Sequence, residues 1–314
     1  MFNYKKVLFL YIVLLIVGIF SIQTVSAADY YMRSDGTAVD KSSATSCSDA
    51  STSMSVSTHN SSTFSAGDNI YICDTGGDYS VELTIPSSGT SANPISYIGV
   101  GSSTWNMSGR NWYTNTKDNN IILNSTGNYS LHLNGTDNLI FRNSTSTAAS
   151  GIFIQNSNTT TIEDSTISST GTNKDAIWIS GGANYTITNL NVTSSLRYGI
   201  YLQGVYGSNT ISDSSINNTI FQGINIINQN NTKIYVSNTT LTNVGTNGGA
   251  QSSGINYDGL NKTNLIFDID NVEINNASGF GGFYIINAPF ETTRGLIKNT
   301  TVDNSDYGIY KRFI

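Results

Sequence analysis

From Ser130 onward the chain repeats two short strand-like phrases in fixed order, and no other feature restricts its fold as strongly. The first phrase, usually opened by Gly or Ala, reads SLHL at Ser130, GIFI at Gly151, AIWI at Ala176, GIYL at Gly199, GINI at Gly223, GINY at Gly254, GFYI at Gly282 and GIYK at Gly308. Its second residue recurs after 21, 25, 23, 24, 31, 28 and 26 positions. Propeller blades and leucine-rich repeats keep a tighter period, whereas stacked coils tolerate elastic loops. A second phrase follows in each coil: FRNSTS at Phe141, IEDSTI at Ile162, ITNLNV at Ile187, ISDSSI at Ile211, VSNTTL at Val236, IDNVEI at Ile269 and IKNTTV at Ile297. Its third position is always an amide or an acid: Asn143, Asp164, Asn189, Asp213, Asn238, Asn271 and Asn299.

Two short strands per coil, in the same order each time, predict that every coil stacks on the last and pairs strand to equivalent strand. Alternation within a strand turns the Ile residues inward and leaves the residue between them facing out. No coil buries its apolar side alone; the stack does so collectively. Composition agrees with an all-β chain. Charged residues are 11% of the total, against about 25% in an average domain, and Asn, Ser and Thr take their place. Such a chain is poor in helix formers and rich in residues that suit pleated surfaces and turns.

The two ends of the sequence read differently. Residues 1–27 have the marks of a secretory signal: Lys5 and Lys6, an apolar run from Val7 to Phe20, and small residues up to Ala27. That run is short of the ~20 residues a bilayer span needs, so no membrane span is expected in the mature chain. An exported chain meets an oxidising compartment, and its only two cysteines, Cys47 and Cys73, are expected to form a disulfide. Residues 28–69 are read as an N-terminal cap segment and 70–314 as the solenoid. The last phrase, GIYKRFI, stops after the first strand of an eighth coil and leaves an open sheet edge: either Lys311 and Arg312 guard that edge by charge or, the favoured expectation, the sequence is a truncated piece of a longer protein. A net charge of −6 disfavours nucleic acid as a partner.

The repeat resembles the right-handed parallel β-helix of the pectate-lyase-like superfamily, in which a bend between sheets carries a stacked asparagine ladder. The seven Asn/Asp positions match that ladder, and the segment from Ser65 to Val100 resembles the first coils of secreted members. The resemblance implies an all-β, right-handed parallel β-helix with coils of 21–31 residues. It implies a secreted or cell-surface location and a polysaccharide or surface glycan as partner. The ladder residues are expected to be enclosed, which would shield the glycosylation sequons at Asn143, Asn238 and Asn299; sequons at turns, such as Asn60, Asn158 and Asn184, stay open to glycans.

Chemistry is expected on the outward column of the first phrase: His132, Phe153, Trp178, Tyr201, Asn225, Asn256, Tyr284 and Tyr310. His132, Phe153, Trp178 and Tyr201 would form a ladder of rings suited to stacking on sugars, or else would stack on one another to shield the sheet. In the superfamily the substrate groove lies along this sheet. Beside it, Lys174, Asp175 and Arg197 are candidate catalytic residues: a lyase needs a base and a cation for the uronate carboxylate. A plain surface ion pair is the alternative. The stretch from Gly171 to Asn189 resembles part of the polygalacturonase site and puts Asp175 at a carboxylate position. The next coil lacks that family's Asp-Asp pair, and neither Gly-His-Gly nor Arg-Ile-Lys occurs. Asp164 and Asp213 lie two coils apart in the ladder and are not expected to serve as a hydrolytic pair. No metal site is evident, and no cofactor beyond Ca²⁺ for a lyase reading, with Asp258, Asp268 and Asp270 split between faces by alternation. The expected function is a carbohydrate-interacting β-helix that is not clearly catalytic, with a polysaccharide lyase or glycoside hydrolase as the alternative.

Overall fold

The computed structural model describes residues 27–73 and 151–227 without interruption. Between 74 and 150 it describes mainly the strands, and beyond 227 all but short connecting stretches. Apart from Ala27 the expected signal segment lies outside the described residues, as does Asn143.

Two parallel sheets wrap one core. Among the described residues the front sheet has eight strands, one four-residue strand from each coil from Leu131 onward: Leu131–Asn134, Ile152–Gln155, Ile177–Ser180, Ile200–Gln203, Ile224–Ile227, Ile255–Asp258, Phe283–Ile286 and Ile309–Arg312. Its register aligns Ile152, Ile177, Ile200, Ile224, Ile255 and Phe283 as one inward column. All six are buried, at 7% exposure or less. A 15-stranded wrapping sheet takes the second phrase of each coil, for example Thr161–Ser169 and Thr186–Ser195. Apolar side chains at the inward positions, most of them the β-branched Ile, suit the pleated strand and the core at once, at about 1.5–3 kcal/mol per fully buried aliphatic side chain.

Glycine opens most front strands because the coil turns a tight corner there. A Cβ on Gly199 would stand 2.5 Å from Cγ2 of Ile216 and 2.6 Å from the carbonyl oxygen of Gly223. The strand thus starts at a point where the core and the next coil leave no room for a side chain.

The ladder residues bend the wrapping strands. Asp164, Asn189, Asp213, Asn238, Asn271 and Asn299 all sit at φ between 46° and 53°, the left-handed conformation that Asn and Asp adopt more readily than other side chains. The bend lets Ile211 and Ile216 both point into the core, at 1% and 0% exposure. It also puts the ladder side chains on the convex side. They are exposed, not enclosed, which corrects the expectation drawn from the resemblance. Side-chain amides link successive coils: Nδ2 of Asn189 donates to Asp164, Asn238 to Asp213, and Asn271 to Asn238, at 2.6, 2.9 and 3.0 Å. The run breaks between Asn189 and Asp213, since an ionised Asp has no proton to donate to the Asn189 carbonyl oxygen. Asn299 donates to Asp270 and not to Asn271.

A second ladder lies five residues downstream. Asn218, Asn243, Asn276 and Asn304 also have φ of 52–55°. Asn243 donates to Asn218 and Asn276 to Asn243, at 3.3 and 3.1 Å. In the earlier coils the column is broken, with a register shift between Ile167 and Ser168, and the sequence reading missed it.

The segment before the solenoid starts the stack. Asp29–Met32 pairs in parallel with Asn69–Cys73, which pairs with Ile95–Val100. Between the first two strands run three short helical segments, of which Val56–Ser61 is capped by the Ser55 hydroxyl accepting from Thr58 N–H. Cys47 and Cys73 form the expected disulfide, with Cα atoms 5.6 Å apart.

Candidate functional site

The front sheet brings the whole outward column into register: His132 beside Phe153, then Trp178, Tyr201, Asn225, Asn256, Tyr284 and Tyr310. The side chains of His132 and Tyr310 lie outside the described set. The rings of Phe153 and Trp178 have centroids 4.4 Å apart, and Trp178 stacks on Tyr201 at 5.9 Å with an 18° interplanar angle. Tyr198 meets Tyr201 edge-on at 5.1 Å. Stacked this closely, Phe153 and Tyr201 keep only 8% and 7% of their surface open. Of the expected ring platform, Phe153, Trp178 and Tyr201 form a self-packed aromatic stack whose faces are spent on one another.

The column then changes from rings to amides for two coils. Asn225 and Asn256 are much shorter than tyrosine, so the sheet surface drops between Tyr201 and Tyr284. The drop is a cleft of about 170 Å³ lined by Tyr198, Tyr201, Gln222, Asn225, Asn256, Asp258 and Tyr284 among others. Nδ2 of Asn256 donates to Oδ1 of Asn225 at 2.7 Å. Oδ1 of Asn256 is buried and meets no hydrogen-bond donor among the described residues. An acceptor in that state costs roughly 1–3 kcal/mol until a donor arrives. Burial pushes the Tyr201 phenol up to about 12, which keeps it a neutral hydroxyl at ordinary pH. The sequence reading placed Asn225 and Asn256 correctly on the outward column without seeing them as a site. The signal was the interruption of the ring column itself.

Lys174, Asp175 and Arg197 come together at the edge of this face. Arg197 grips Asp175 as a fork, Nε to Oδ1 at 2.8 Å and Nη2 to Oδ2 at 2.7 Å, and the Tyr198 N–H adds a third donor at 3.2 Å. The Asp175 side chain is 4% exposed. Burial pushes its carboxyl up to about 6, with the Arg197 guanidinium and the Lys174 ammonium pulling the other way. Arg197 also lies against the rings of Tyr198, Tyr201 and Trp178 at 4.7, 5.3 and 5.9 Å. The arrangement braces the aromatic stack: a guanidinium held by a buried carboxylate clamps the rings that form one wall of the cleft.

The other acidic residues lie elsewhere. Asp164 and Asp213 belong to the exposed ladder on the wrapping sheet, each accepting a ladder amide. Asp268 and Asp270 are on the wrapping strand Leu265–Asn275, while Asp258 ends a front strand. Among the described residues no three His, Cys, Asp or Glu side chains gather as a metal site.

Residues 105–266, just over half of the 314-residue chain, match the family model described as "Right handed beta helix region". The chain belongs to the right-handed β-helix family. No curated protein matches the sequence. Among solved structures, this β-helix is similar to pectate lyase Pel9A at 15% identity, over 90% of this chain and 80% of that one, with a TM-score of 0.54. A second similar structure is an alginate lyase from Paenibacillus sp. str. FPU-7, at 13% identity over 75% of this chain and 93% of that one, TM-score 0.43. At such identities the first likeness speaks for the β-helix fold alone. No helix among the described residues of the β-helix is long and apolar enough to cross a membrane.

Proposed function

We propose that this is an exported, extracellular or cell-surface β-helix that binds a glycan in the cleft between Tyr201 and Tyr284 and does not cleave it. The amide interruption of the ring column carries this reading. The partly exposed ring of Tyr284 suits the apolar face of a sugar ring, the packed edge of Tyr201 closes the opposite side, and the amides of Asn225, Asn256 and Gln222 suit the sugar's hydroxyls. The apolar run from Val7 to Phe20 behind two lysines supports export.

Cleavage is the second reading. It is favoured by the carboxyl of Asp175, raised to about 6 beside Arg197 and Lys174, and by the likeness to a protein named as a pectate lyase. Against it stand the fork that occupies both Asp175 oxygens and the absence, among the described lining residues of the cleft, of a second carboxylate besides Asp258.

The deciding experiment incubates the secreted protein, with and without Ca²⁺, with neutral and uronate polysaccharides, and follows retention on the polysaccharide together with unsaturated product and reducing ends. Retention without product, abolished in Asn225→Tyr, is the expected result, because a tyrosine there refills the column. Product formation that disappears in both Asp175→Asn and Arg197→Gln establishes cleavage instead.

A further inference from the structure

The fork between Asp175 and Arg197 connects a buried carboxyl to one wall of the cleft. Its bonds, Nε to Oδ1 at 2.8 Å and Nη2 to Oδ2 at 2.7 Å, use both carboxylate oxygens as acceptors. The same guanidinium lies against the rings of Tyr198, Tyr201 and Trp178, and Tyr198 and Tyr201 line the cleft. Oδ1 of Asp175 also accepts the Tyr198 N–H at 3.2 Å, which ties the backbone under that wall to the same carboxylate. A proton on either oxygen turns an acceptor into a hydroxyl and removes the charge, so the fork opens. Arg197 then has water within reach, since its side chain is 27% exposed while that of Asp175 is 4% exposed.

We propose that Asp175 and Arg197 are positioning residues that hold the Tyr198–Tyr201 wall in its binding shape, so that acid, by neutralising Asp175, weakens ligand binding in the cleft. The proposal rests on the glycan-binding reading above. The groups that face Asp175 among the described residues are Lys174 on its own segment and Arg197, Tyr198 and Tyr201 from the next coil. On the other side, residues 143–150 of the preceding coil read NSTSTAAS and include no titratable side chain. Burial pushes both phenols up, so neither ionises in acid or neutral solution. Burial also pushes the Asp175 carboxyl up to about 6, against the pull of Arg197 and Lys174. Above that value the carboxyl is ionised and the fork closed; below it the carboxyl is neutral and the fork open.

The test follows retention of the full chain on the same neutral and uronate polysaccharides from pH 7.5 to pH 5, with circular dichroism at each pH to confirm the fold. Retention is expected to fall severalfold as pH drops through about 6. Asp175→Asn, which is uncharged throughout, is expected to bind as the wild type does at pH 5, with no step near pH 6. If that variant does not fold, Arg197→Lys replaces it, since it keeps the charge and loses the fork, and weak retention at pH 7.5 is expected. A wild-type profile flat in pH overturns the proposal, as does a step that Asp175→Asn keeps or wild-type retention in Arg197→Lys. A second readout needs no ligand: the emission of Trp178, taken as the difference from Trp178→Phe, is expected to change near pH 6 in the wild type. Failure of the underlying reading is distinct, because then no polysaccharide is retained at any pH while the Trp178 step persists, and the role in binding falls with it.

Discussion

A ladder asparagine does two jobs, and substitution separates them. Asn238 adopts φ 46°, donates to Asp213 and accepts from Asn271, all while exposed to water. Hydrogen bonds of exposed groups are worth little, because water replaces them. The left-handed backbone is costlier to impose on an ordinary residue, by about 1–2 kcal/mol. Asn238→Ala is therefore expected to destabilise by about 1–2 kcal/mol in urea unfolding, and Asn238→Gly by clearly less, since glycine accepts that conformation freely. Equal losses in the two variants would transfer the ladder's value to the side-chain bonds. The identity of these positions could be read from the sequence, because a bend that repeats at one place in every coil selects Asn or Asp every time. Their exposure could not. Enclosure depends on which side of a left-handed bend Cβ leaves, and residue type does not encode that side.

At the scale of single elements, the helix Val56–Ser61 holds a pH-sensitive group. The His59 side chain is fully buried, stacks on Phe64 at 5.0 Å, and has Nδ1 3.1 Å from Asn60 Oδ1. Burial lowers its pKa from 6.5 to about 4, with the Asn60 bond opposing. The folded ring is neutral, whereas the unfolded ring takes a proton below 6.5. Its contribution is complete above pH 6.5 and is lost as pH falls towards 4, an effect on the order of 3 kcal/mol. Asp175 works in the opposite sense: its folded value of about 6 lies above the unfolded 3.8, so its contribution is present below 3.8 and is lost as pH rises to 6. Because the two slopes oppose, the wild-type curve alone does not isolate His59. The stability difference between wild type and His59→Phe, which keeps a ring against Phe64, is expected to shift against the wild type as pH falls from 6.5 to 4. A difference flat in pH would mean the ring is already charged, or still hydrated, in the fold. This helix carried no repeat signal, so the sequence reading saw only a polar cap segment. The front strands were fully readable because an apolar inward pair recurs in nearly every one. The cleft lay in between: Asn225 and Asn256 were placed on the right column, but a depression is a property of neighbouring coils compared with one another, and each coil taken singly looks ordinary.

Across the whole molecule the coils form a nearly one-dimensional stack, in which each strand pairs only with the coil before and the coil after. Stability in such a stack is a sum of coil and interface contributions, and an end coil, having one neighbour, opens first. The N-terminal end is braced by the Cys47–Cys73 disulfide, which closes a separation of 26 residues and ties the cap to the strand Asn69–Cys73. Closing a loop of that length restricts the unfolded chain by roughly 3 kcal/mol. The bond should therefore protect its own end and leave distant coils alone. In the double variant Cys47→Ala, Cys73→Ala, amide hydrogen exchange is expected to quicken in Asp29–Met32 and Asn69–Cys73, then more weakly in Ile95–Val100, while Ile200–Gln203 keeps its protection. Binding in the cleft should persist in the same variant, since Tyr201, Asn225 and Asn256 lie several coils away. Uniform loss of protection along the solenoid would instead mean that the coils unfold as one unit, with interfaces between coils strong enough to carry a defect at one end through to the cleft.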